Sequence, residues 1–408
     1  MKRLIFTCTL FFLFLSSTIW SQRLSDQARI SLLTMGPTAE LYNQFGHTAI
    51  RVNDPVKGID VCYNYGTYSF DTPNFYGKFV SGTLPYMLAD TPTDLELRYY
   101  QQIGRGVKEQ LFNLNPKEVN RVYDFLLENY KEENRFYLYH FFYDNCATRI
   151  RDLFEDVLDI RFHYPEDYVP KVKTFRELLD EKIEMTPWND FGIDFILGSP
   201  ADLSAGFREE MFLPDYLSTN IGMATYKGKP LLSPPVALVE HTIKVGSNSI
   251  LTPFNVFSLL FVLTLLLTFF GSVKLKRRFD LGMYSILGFC GLFLTFMRFG
   301  TDHFTTWKNY NMLWANPLYV FAIVHHFFPK PWMHSIKWLI LIMAINNLVI
   351  MVFPPQNFHI AVYPILGIAI TRLLDNMEVW SRAKERLEAN EGETIKDQTS
   401  RLPILEEE

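Results

Sequence analysis

The sequence predicts an exported α+β domain followed by an all-α membrane domain, and three observations support this division. The N-terminus is basic and then apolar, which is typical of a secretory signal peptide. Residues 22–250 carry 23 Lys and Arg against 32 Asp and Glu and mix strand and helix patterns. Residues 251–408 contain long runs without any ionised side chain. The whole-chain net charge of −5 over 408 residues conceals these differences.

The signal peptide is predicted over residues 1–21. Lys2 and Arg3 precede an apolar stretch and a small-residue region that ends at Ser21, after which we expect cleavage. An uncleaved anchor is the alternative, but the apolar run is short for a membrane span. The exported part then holds two cysteines, Cys62 and Cys146, which could form a disulfide in an oxidising compartment.

The C-terminal segment is predicted to cross the membrane five times, over residues 251–375. Residues 250–273 are uncharged for 24 residues, residues 281–297 for 17, and residues 310–328 carry only histidines. Residues 338–371 are uncharged for 34 residues, which suits two spans separated at a proline pair. Residues 376–408 are predicted to form a cytoplasmic tail, whose polar stretch at 385–408 is expected to be disordered.

The distribution of basic residues predicts the orientation. Five spans after a cleaved signal place the C-terminus in the cytoplasm, with inner loops at 274–280 and 328–337 and outer loops at 298–309 and 354–359. The positive-inside rule agrees, because the basic residues concentrate on the inner side. Those assigned to the inner loops and the tail are Lys274, Lys276, Arg277, Arg278, Lys330, Lys337, Arg372, Arg382, Lys384 and Arg386.

The exported domain is acidic, which excludes nucleic acid as a partner because phosphate would be repelled. Its first strands are predicted at residues 29–35, 47–52 and 59–65, where apolar and polar residues alternate. The last two form a hairpin. A loop centred between Pro55 and Val56 places His47 opposite Asn64, although a one-residue slip would change the faces.

Two helices are predicted downstream of the hairpin. Residues 116–130 form an amphipathic helix with Asn115 as its cap, and residues 135–143 are predicted to be strand-like. The tripeptide Asp144-Asn145-Cys146 then precedes a helix over residues 147–158. A cysteine therefore stands at the first turn of a helix, behind an Asp or Asn cap.

This position predicts a nucleophile. A helix N-terminus offers free N–H groups and a positive dipole end, so we expect a lowered Cys146 pKa and an oxyanion site at its own N–H. His47 would serve as base and Asn64 would orient it, if the hairpin packs on the helix. The alternative is a non-catalytic membrane assembly protein with a Cys62–Cys146 disulfide.

The motifs carry a family resemblance. Phe45-Gly46-His47-Thr48-Ala49, Asn64-Tyr65-Gly66 and Asp144-Asn145-Cys146 resemble the circularly permuted papain-like fold of the NlpC and lecithin:retinol-acyltransferase (LRAT) proteins. With the five-helix module, residues 22–375 look like the Lnb-type lipoprotein N-acyltransferases of Bacteroidota. Matched residue by residue, the resemblance implies Cys146 as nucleophile, His47 as base and Asn64 as the third catalytic residue.

The resemblance also implies a reaction. An acyl chain would pass from a membrane phospholipid through a Cys146 thioester to the N-terminal amine of a diacylglyceryl-cysteine lipoprotein, without metal or cofactor. The implied place is the bacterial inner membrane, with the catalytic domain in the periplasm. A related cysteine hydrolase, either a phospholipase or a cell-wall peptidase, remains open alongside the non-catalytic alternative.

Overall fold

The protein folds as two compact units. The first comprises Met1–Met185 and Leu203–Ser247, and the second comprises Thr186–Asp202 and Asn248–Glu408. The predicted signal peptide and the tail beyond residue 377 lie outside the residues that the structure describes. The computed structural model describes residues 23–166, 168, 171–183, 185–243, 246, 249–328, 331–352 and 354–377.

The described elements mix strands and helices up to residue 239 and are helical beyond it. This confirms the predicted class, an α+β part followed by a helical C-terminal region. The strands are β1 (Arg29–Met35), β2 (His47–Asp54), β3 (Ile59–Thr67), β4 (Pro85–Pro92), β5 (Val107–Leu111), β6 (Phe136–Leu138), β7 (Lys173–Thr174), β8 (Ser204–Ala205), β9 (Thr225–Tyr226), β10 (Lys229–Pro230) and β11 (Val236–Val239). The helices are α1 (Phe75–Ser81), α2 (Thr93–Gln102), α3 (Pro116–Tyr130), α4 (Cys146–Leu158), α5 (Phe175–Ile183), α6 (Pro187–Ile196), α7 (Phe207–Glu210), α8 (Pro214–Met223), α9 (Pro253–Phe270), α10 (Val273–Phe299), α11 (Tyr319–Phe327), α12 (Pro331–Ile350) and α13 (362–377).

An antiparallel sheet forms the centre of the first unit. Its described strands lie in the order β11-β5-β1-β2-β3-β4-β6. Successive side chains point to opposite faces: Ile50 joins a large apolar cluster with α3, α4 and α8, while Ala49 joins a smaller one with α2. The α4 helix packs against β2 and β3. Its first residue therefore lies near the strands that carry His47 and Asn64.

The β2–β3 hairpin confirms two predicted strands and corrects their register. Ile50 pairs with Tyr63 and Asp54 with Ile59, so the register is two residues away from the predicted His47–Asn64 pairing. A two-residue shift keeps each side chain on its predicted face, because the side-chain period of a strand is two. The imidazole is then diagonal to the Asn64 amide, a separation that these side chains can span.

Two helices begin where the sequence predicts. The α3 helix begins behind Asn115 and the α4 helix behind Asn145, and each Asn side chain accepts hydrogen bonds from two backbone N–H groups of its helix. In each case the third helical residue bonds back to the backbone of the cap, which completes a capping box. Local side-chain chemistry thus determines both starting points.

The strand predicted over residues 135–143 is wrong beyond Leu138. The β6 strand covers Phe136–Leu138 only. The chain then turns, with His140 and Asp144 forming an isolated bridge. The aromatic run satisfies the strand pattern, but the turn is needed to bring Asn145 to the start of α4.

The second unit is helical in its described part. Two of its helices, α9 and α10, are long and apolar enough to cross a membrane. The third span predicted at residues 310–328 is wrong as a single helix: a 3₁₀ turn covers Tyr310–Leu313 and α11 covers Tyr319–Phe327. Pro317 separates them, because proline lacks a backbone N–H and restricts the residue before it. The total of five spans stays a prediction.

The two predicted cytoplasmic loops are also corrected. The α10 helix begins at Val273 and α12 begins at Pro331, so most of the residues assigned to loops 274–280 and 328–337 are helical. Lys and Arg are good helix formers, and a basic cluster therefore does not end a helix. The basic residues remain next to the apolar stretches, but as helical turns.

A buried ion pair joins helices of the second unit. The Arg372 guanidinium donates to both carboxylate oxygens of Asp280, at 2.7 and 3.0 Å, and to Thr268 Oγ1 at 2.8 Å. The Arg372 and Asp280 side chains are 1% and 2% exposed. Arg372, which the sequence analysis counts among the basic residues of the inner side, thus belongs to α13 and pairs with Asp280 of α10. Its side of the membrane stays a prediction.

Candidate active site

Cys146 is the first residue of α4, and the side chain before it fixes its position. Asn145 Oδ1 accepts from the N–H groups of the second and third helical residues, at 2.8 and 2.9 Å. Asn145 Nδ2 donates to the carbonyls of Phe141 and Phe212, each at 2.8 Å. One amide thus caps the helix and ties its start to two other segments.

The protonation state of Cys146 is dominated by burial. The residue is 8% exposed, and burial raises the pKa of its thiol to about 11. The backbone N–H groups of Thr48, Ala147 and Cys146 itself, and the charge of Arg105, lower that pKa by less. The expected net lowering by the helix N-terminus is therefore wrong. The resting group is a thiol, which needs a base when it attacks.

His47 is the first residue of β2, and its ring bonds to Asn64. The Nε2 atom lies 2.9 Å from Asn64 Oδ1. Burial lowers the pKa of His47 to about 4, against an opposing effect of the Asn64 bond. Gly46, with a φ of +79°, precedes it, and a Cβ there would lie 2.9 Å from the carbonyl of Met35. The neutral imidazole is thus held at a turn that requires glycine.

The thiol and the imidazole approach the same end of β2. The N–H of Thr48, the residue after His47, is among the groups that lower the pKa of Cys146. Among the described residues, the hydrogen bond of the His47 ring goes to Asn64 and not to Cys146. Such catalytic contacts often form only when the substrate binds. The structure brings His47 and Asn64 into direct contact and Cys146 to their strand.

Glu96 was not predicted from the sequence. It extends the hydrogen-bonded pair of His47 and Asn64 by a third residue. Asn64 Nδ2 donates to Glu96 Oε2 at 3.1 Å, and Glu96 is 7% exposed on α2. Because the amide nitrogen faces the carboxylate, the amide oxygen must accept from His47 Nε2–H. The lone pair then lies on His47 Nδ1. Burial raises the pKa of Glu96, while its bonds to Asn64 and other neighbours lower it. The sequence did contain one signal for Glu96: it lies on the same helical face as Thr93 and Tyr100, which are both buried.

Arg105 is a second residue that the sequence did not indicate. Its side chain is buried, its Nε donates to the Gly36 carbonyl at 2.7 Å, and its Nη1 donates to Asn43 Oδ1 at 3.3 Å. Its charge lowers the pKa of both Cys146 and His47. A positive charge therefore acts on both groups, favouring a thiolate and disfavouring an imidazolium.

Cys62 and Cys146 are both free. Cys62 belongs to the apolar cluster on the α2 face of the sheet, while Cys146 belongs to the cluster on the α4 face. Cys62 Sγ lies 3.3 Å from Thr93 Oγ1, and burial raises its pKa to about 12. The alternative of a Cys62–Cys146 disulfide is therefore wrong.

Comparisons with known protein families matched two regions of the chain. The family model described as the Lnb N-terminal periplasmic domain matches residues 20–181, and the one described as the Lnb transmembrane domain matches residues 245–384. The chain belongs to the Lnb family. Searches of the curated proteins and of the solved structures gave no match. The papain-like permutation accordingly stays a prediction.

Membership in the Lnb family places the chain in a membrane with a periplasmic N-terminal part, and it connects the chain with lipoprotein biogenesis. The matched periplasmic region contains His47, Asn64 and Cys146. It also contains Glu96 and Arg105. The whole cluster thus lies in the part that the family model covers.

Proposed function

We propose that this Lnb-family chain is a lipoprotein N-acyltransferase. It moves an acyl chain from a membrane phospholipid, through a thioester on Cys146, to the N-terminal amine of a diacylglyceryl-cysteine lipoprotein. His47 is the base and Asn64 orients it. The observation that supports this most is the chain of hydrogen bonds from Glu96 through Asn64 to His47, beside a cysteine at a helix start.

The first half-reaction forms the thioester. His47 Nδ1 accepts the proton of the Cys146 thiol while the sulfur attacks the ester carbonyl of the phospholipid. Proton transfer during the attack suits the neutral resting states, because the thiol still carries its proton and the imidazole can accept it. The imidazolium then protonates the departing alkoxide, and a lysophospholipid leaves.

The second half-reaction transfers the chain. The neutral amine of the lipoprotein attacks the thioester, His47 takes a proton from that nitrogen, and the thiol re-forms as the C–S bond breaks. An amide links the chain to the lipoprotein. Both substrates reside in a membrane, and the transmembrane part keeps the enzyme at that membrane, which raises their effective concentration.

A hydrolase acting on peptides is the second candidate, and one observation favours it. A cavity of about 320 Å³ beside α4 is lined by charged groups, among them Asp144, Arg149, Asp152 and Asp156. A charged cavity suits a polar peptide better than an acyl chain. The same Cys146 and His47 would then use water as the acceptor.

The test is mass spectrometry of a lipoprotein N-terminal peptide from cells in which this chain is the sole N-acyltransferase. With the wild-type chain we expect three acyl chains, and with Cys146→Ser we expect two. Cys62→Ser is the matched control, since Cys62 is also buried but lies on the other face of the sheet. It should retain three chains.

Three acyl chains with Cys146→Ser, at the wild-type level, would contradict the proposal. Two chains with the wild-type protein, together with cleavage of cell-wall peptides by the purified enzyme, would favour the hydrolase. Loss of the third chain in both cysteine variants would point to a folding effect, which the amount of folded protein in the membrane would reveal.

A further inference from the structure

One buried hydroxyl near the candidate nucleophile has no established role. Tyr137 lies in β6, and its Oη is buried without a hydrogen-bond partner among the described residues. A buried hydroxyl normally has a hydrogen-bond partner, because leaving one unpaired is destabilising. Such a group is expected where a ligand supplies the missing acceptor.

Gly66 places this hydroxyl next to Cys146. A Cβ built on Gly66 would lie 3.7 Å from Cys146 Cβ, 3.9 Å from Tyr137 Oη and 3.4 Å from the ring of Tyr139. Gly66 also has a φ of +85°, so a side chain is disfavoured there. The Cys146 side chain and the Tyr137 hydroxyl therefore both approach the position that a side chain of residue 66 would occupy.

The ring of Tyr137 is held firmly in this orientation. The Arg149 guanidinium lies 3.8 Å from its ring centroid and is itself bound to Asp144, with Arg149 Nη2 2.7 Å from Asp144 Oδ2. Tyr65 contacts the ring edge-on at a centroid distance of 6.5 Å. A donor fixed before the reaction stabilises a transition state without reorganisation.

The hydroxyl also stays protonated at neutral pH. Burial raises the pKa of Tyr137 well above its ordinary value, and a negative charge on Cys146 would raise it further. The backbone N–H of Gly66 lowers that pKa by less, but the hydroxyl makes no hydrogen bond of ordinary geometry, so its hydrogen has no acceptor among the described residues.

We propose that Tyr137 is a catalytic residue whose O–H donates to the oxyanion of the tetrahedral intermediates, together with the N–H of Cys146. The inference rests on the proposed acyl transfer and adds the group that stabilises its transition states. The ligand is the carbonyl oxygen of an acyl ester or thioester.

In the first half-reaction, each bond that forms is matched by one that breaks. The Cys146 sulfur bonds to the carbonyl carbon, and the π electrons of the C=O bond move onto oxygen, where Tyr137 O–H donates to them. These electrons re-form the C=O bond as the C–O bond to glycerol breaks. His47 returns the thiol proton to the glycerol oxygen.

The test compares Tyr137→Phe with Tyr86→Phe in the purified full chain. Tyr86 pairs with Tyr137 across β4 and β6, so its variant removes a hydroxyl from the same sheet. The rate of Cys146 acylation by a dipalmitoyl phospholipid in detergent micelles is followed by intact-protein mass spectrometry. Tyr137→Phe should lower kcat about 10²- to 10³-fold with little change in KM. Tyr86→Phe should remain close to wild type.

A second readout separates catalysis from structure. A thionoester donor places sulfur, a poor hydrogen-bond acceptor, where the carbonyl oxygen stands. The wild-type enzyme should prefer the oxoester, and Tyr137→Phe should lose most of that preference. An unchanged kcat, or a lowered kcat with the full preference retained, would overturn the assignment. Acylation that is lost with Cys146→Ser and unaffected by Tyr137→Phe would leave the proposed function standing.

Discussion

Burial shifts the pKa values of Cys146 and His47 away from neutrality in opposite directions. The thiol pKa is raised to about 11 and the imidazole pKa is lowered to about 4. Each shift favours the uncharged form, as expected when a group leaves water. The pair therefore rests as thiol and neutral imidazole, and the proton moves only when the substrate carbonyl is attacked.

These values predict the pH dependence of the first half-reaction. His47 must be neutral to accept a proton, so Cys146 acylation should fall only as the pH drops through about 4. The rate should stay level from about pH 5 to about pH 10, because the thiol keeps its proton up to about pH 11. Burst measurements of thioester formation would show this plateau.

A rate that changes with a midpoint between about pH 6 and 8 would contradict the neutral resting pair. Glu96→Gln is the control for the pH profile, since it removes the neighbouring carboxyl, whose pKa is raised by burial. The acylation rate of Glu96→Gln should be constant over the same pH range as that of the wild type, even if the rate itself differs.

Glu96 should act through Asn64 and His47. Removing its carboxylate in Glu96→Ala frees the Asn64 amide to rotate, and the His47 tautomer is then no longer fixed. We expect the kcat of acylation to fall about 10- to 100-fold, as for a misplaced catalytic group, with KM nearly unchanged. Glu118→Ala is the matched control, because Glu118 is also buried but belongs to the start of α3. Equal effects of both variants would refute the positioning role.

At the scale of elements, the start of α4 is the feature that presents the nucleophile. Asn145 caps the helix and also bonds to the carbonyls of Phe141 and Phe212. Asn115 caps α3 with the same capping box. The α3 helix carries none of the candidate site residues. Variants of Asn115 and Asn145 can therefore distinguish the effect of a cap on stability from its effect on the reactivity of Cys146.

Asn145→Ala should destabilise the protein by about 2–4 kcal/mol, because it removes a cap and leaves two carbonyls without their donor. Asn115→Ala should cost about 1 kcal/mol. Only Asn145→Ala should also slow Cys146 acylation, since only that cap precedes the nucleophile. Denaturant unfolding and thioester formation measure the two effects. A normal acylation rate in Asn145→Ala would show that the cap does not position Cys146.

Local signals predicted most elements of the exported domain and the contact between His47 and Asn64, whereas the contacts of Glu96 and Tyr137 were not predictable. Asn115 and Asn145 indicate where their helices begin, because a cap residue bonds to backbone groups within the next three residues of the chain. The hairpin register was two residues off, since it depends on where a six-residue loop turns and not on the strands alone. Glu96 and Tyr137 were missed, because which face of α2 or β6 meets the site is decided by tertiary packing.

At the scale of the molecule, the second unit relies on a buried charge pair. Arg372 and Asp280 are almost fully buried, and Arg372 also bonds to Thr268, so the pair links α9, α10 and α13. Hydropathy predicted where apolar helices occur, but not this pair, because an isolated Arg after an apolar run satisfies the positive-inside pattern equally well.

Arg372→Met should destabilise the second unit by about 3–5 kcal/mol, because it leaves the Asp280 carboxylate buried without its partner. Thermal unfolding in detergent would measure this. Arg98→Met is the control, since Arg98 pairs with Asp94 at an exposed site and should have little effect. Adding Asp280→Asn to Arg372→Met should restore part of the lost stability. An unfolding temperature of Arg372→Met equal to that of Arg98→Met would contradict the role of the pair.

The most direct test of the central claim follows one acyl chain through the enzyme. The full chain is loaded with an isotopically labelled phospholipid, freed of excess lipid, and then mixed with a diacylated lipopeptide. We expect label on Cys146 in the first stage and on the lipopeptide amine in the second, with none on Cys146→Ser. Label that never resides on Cys146, or that leaves it only as free fatty acid, would contradict a thioester-mediated transfer.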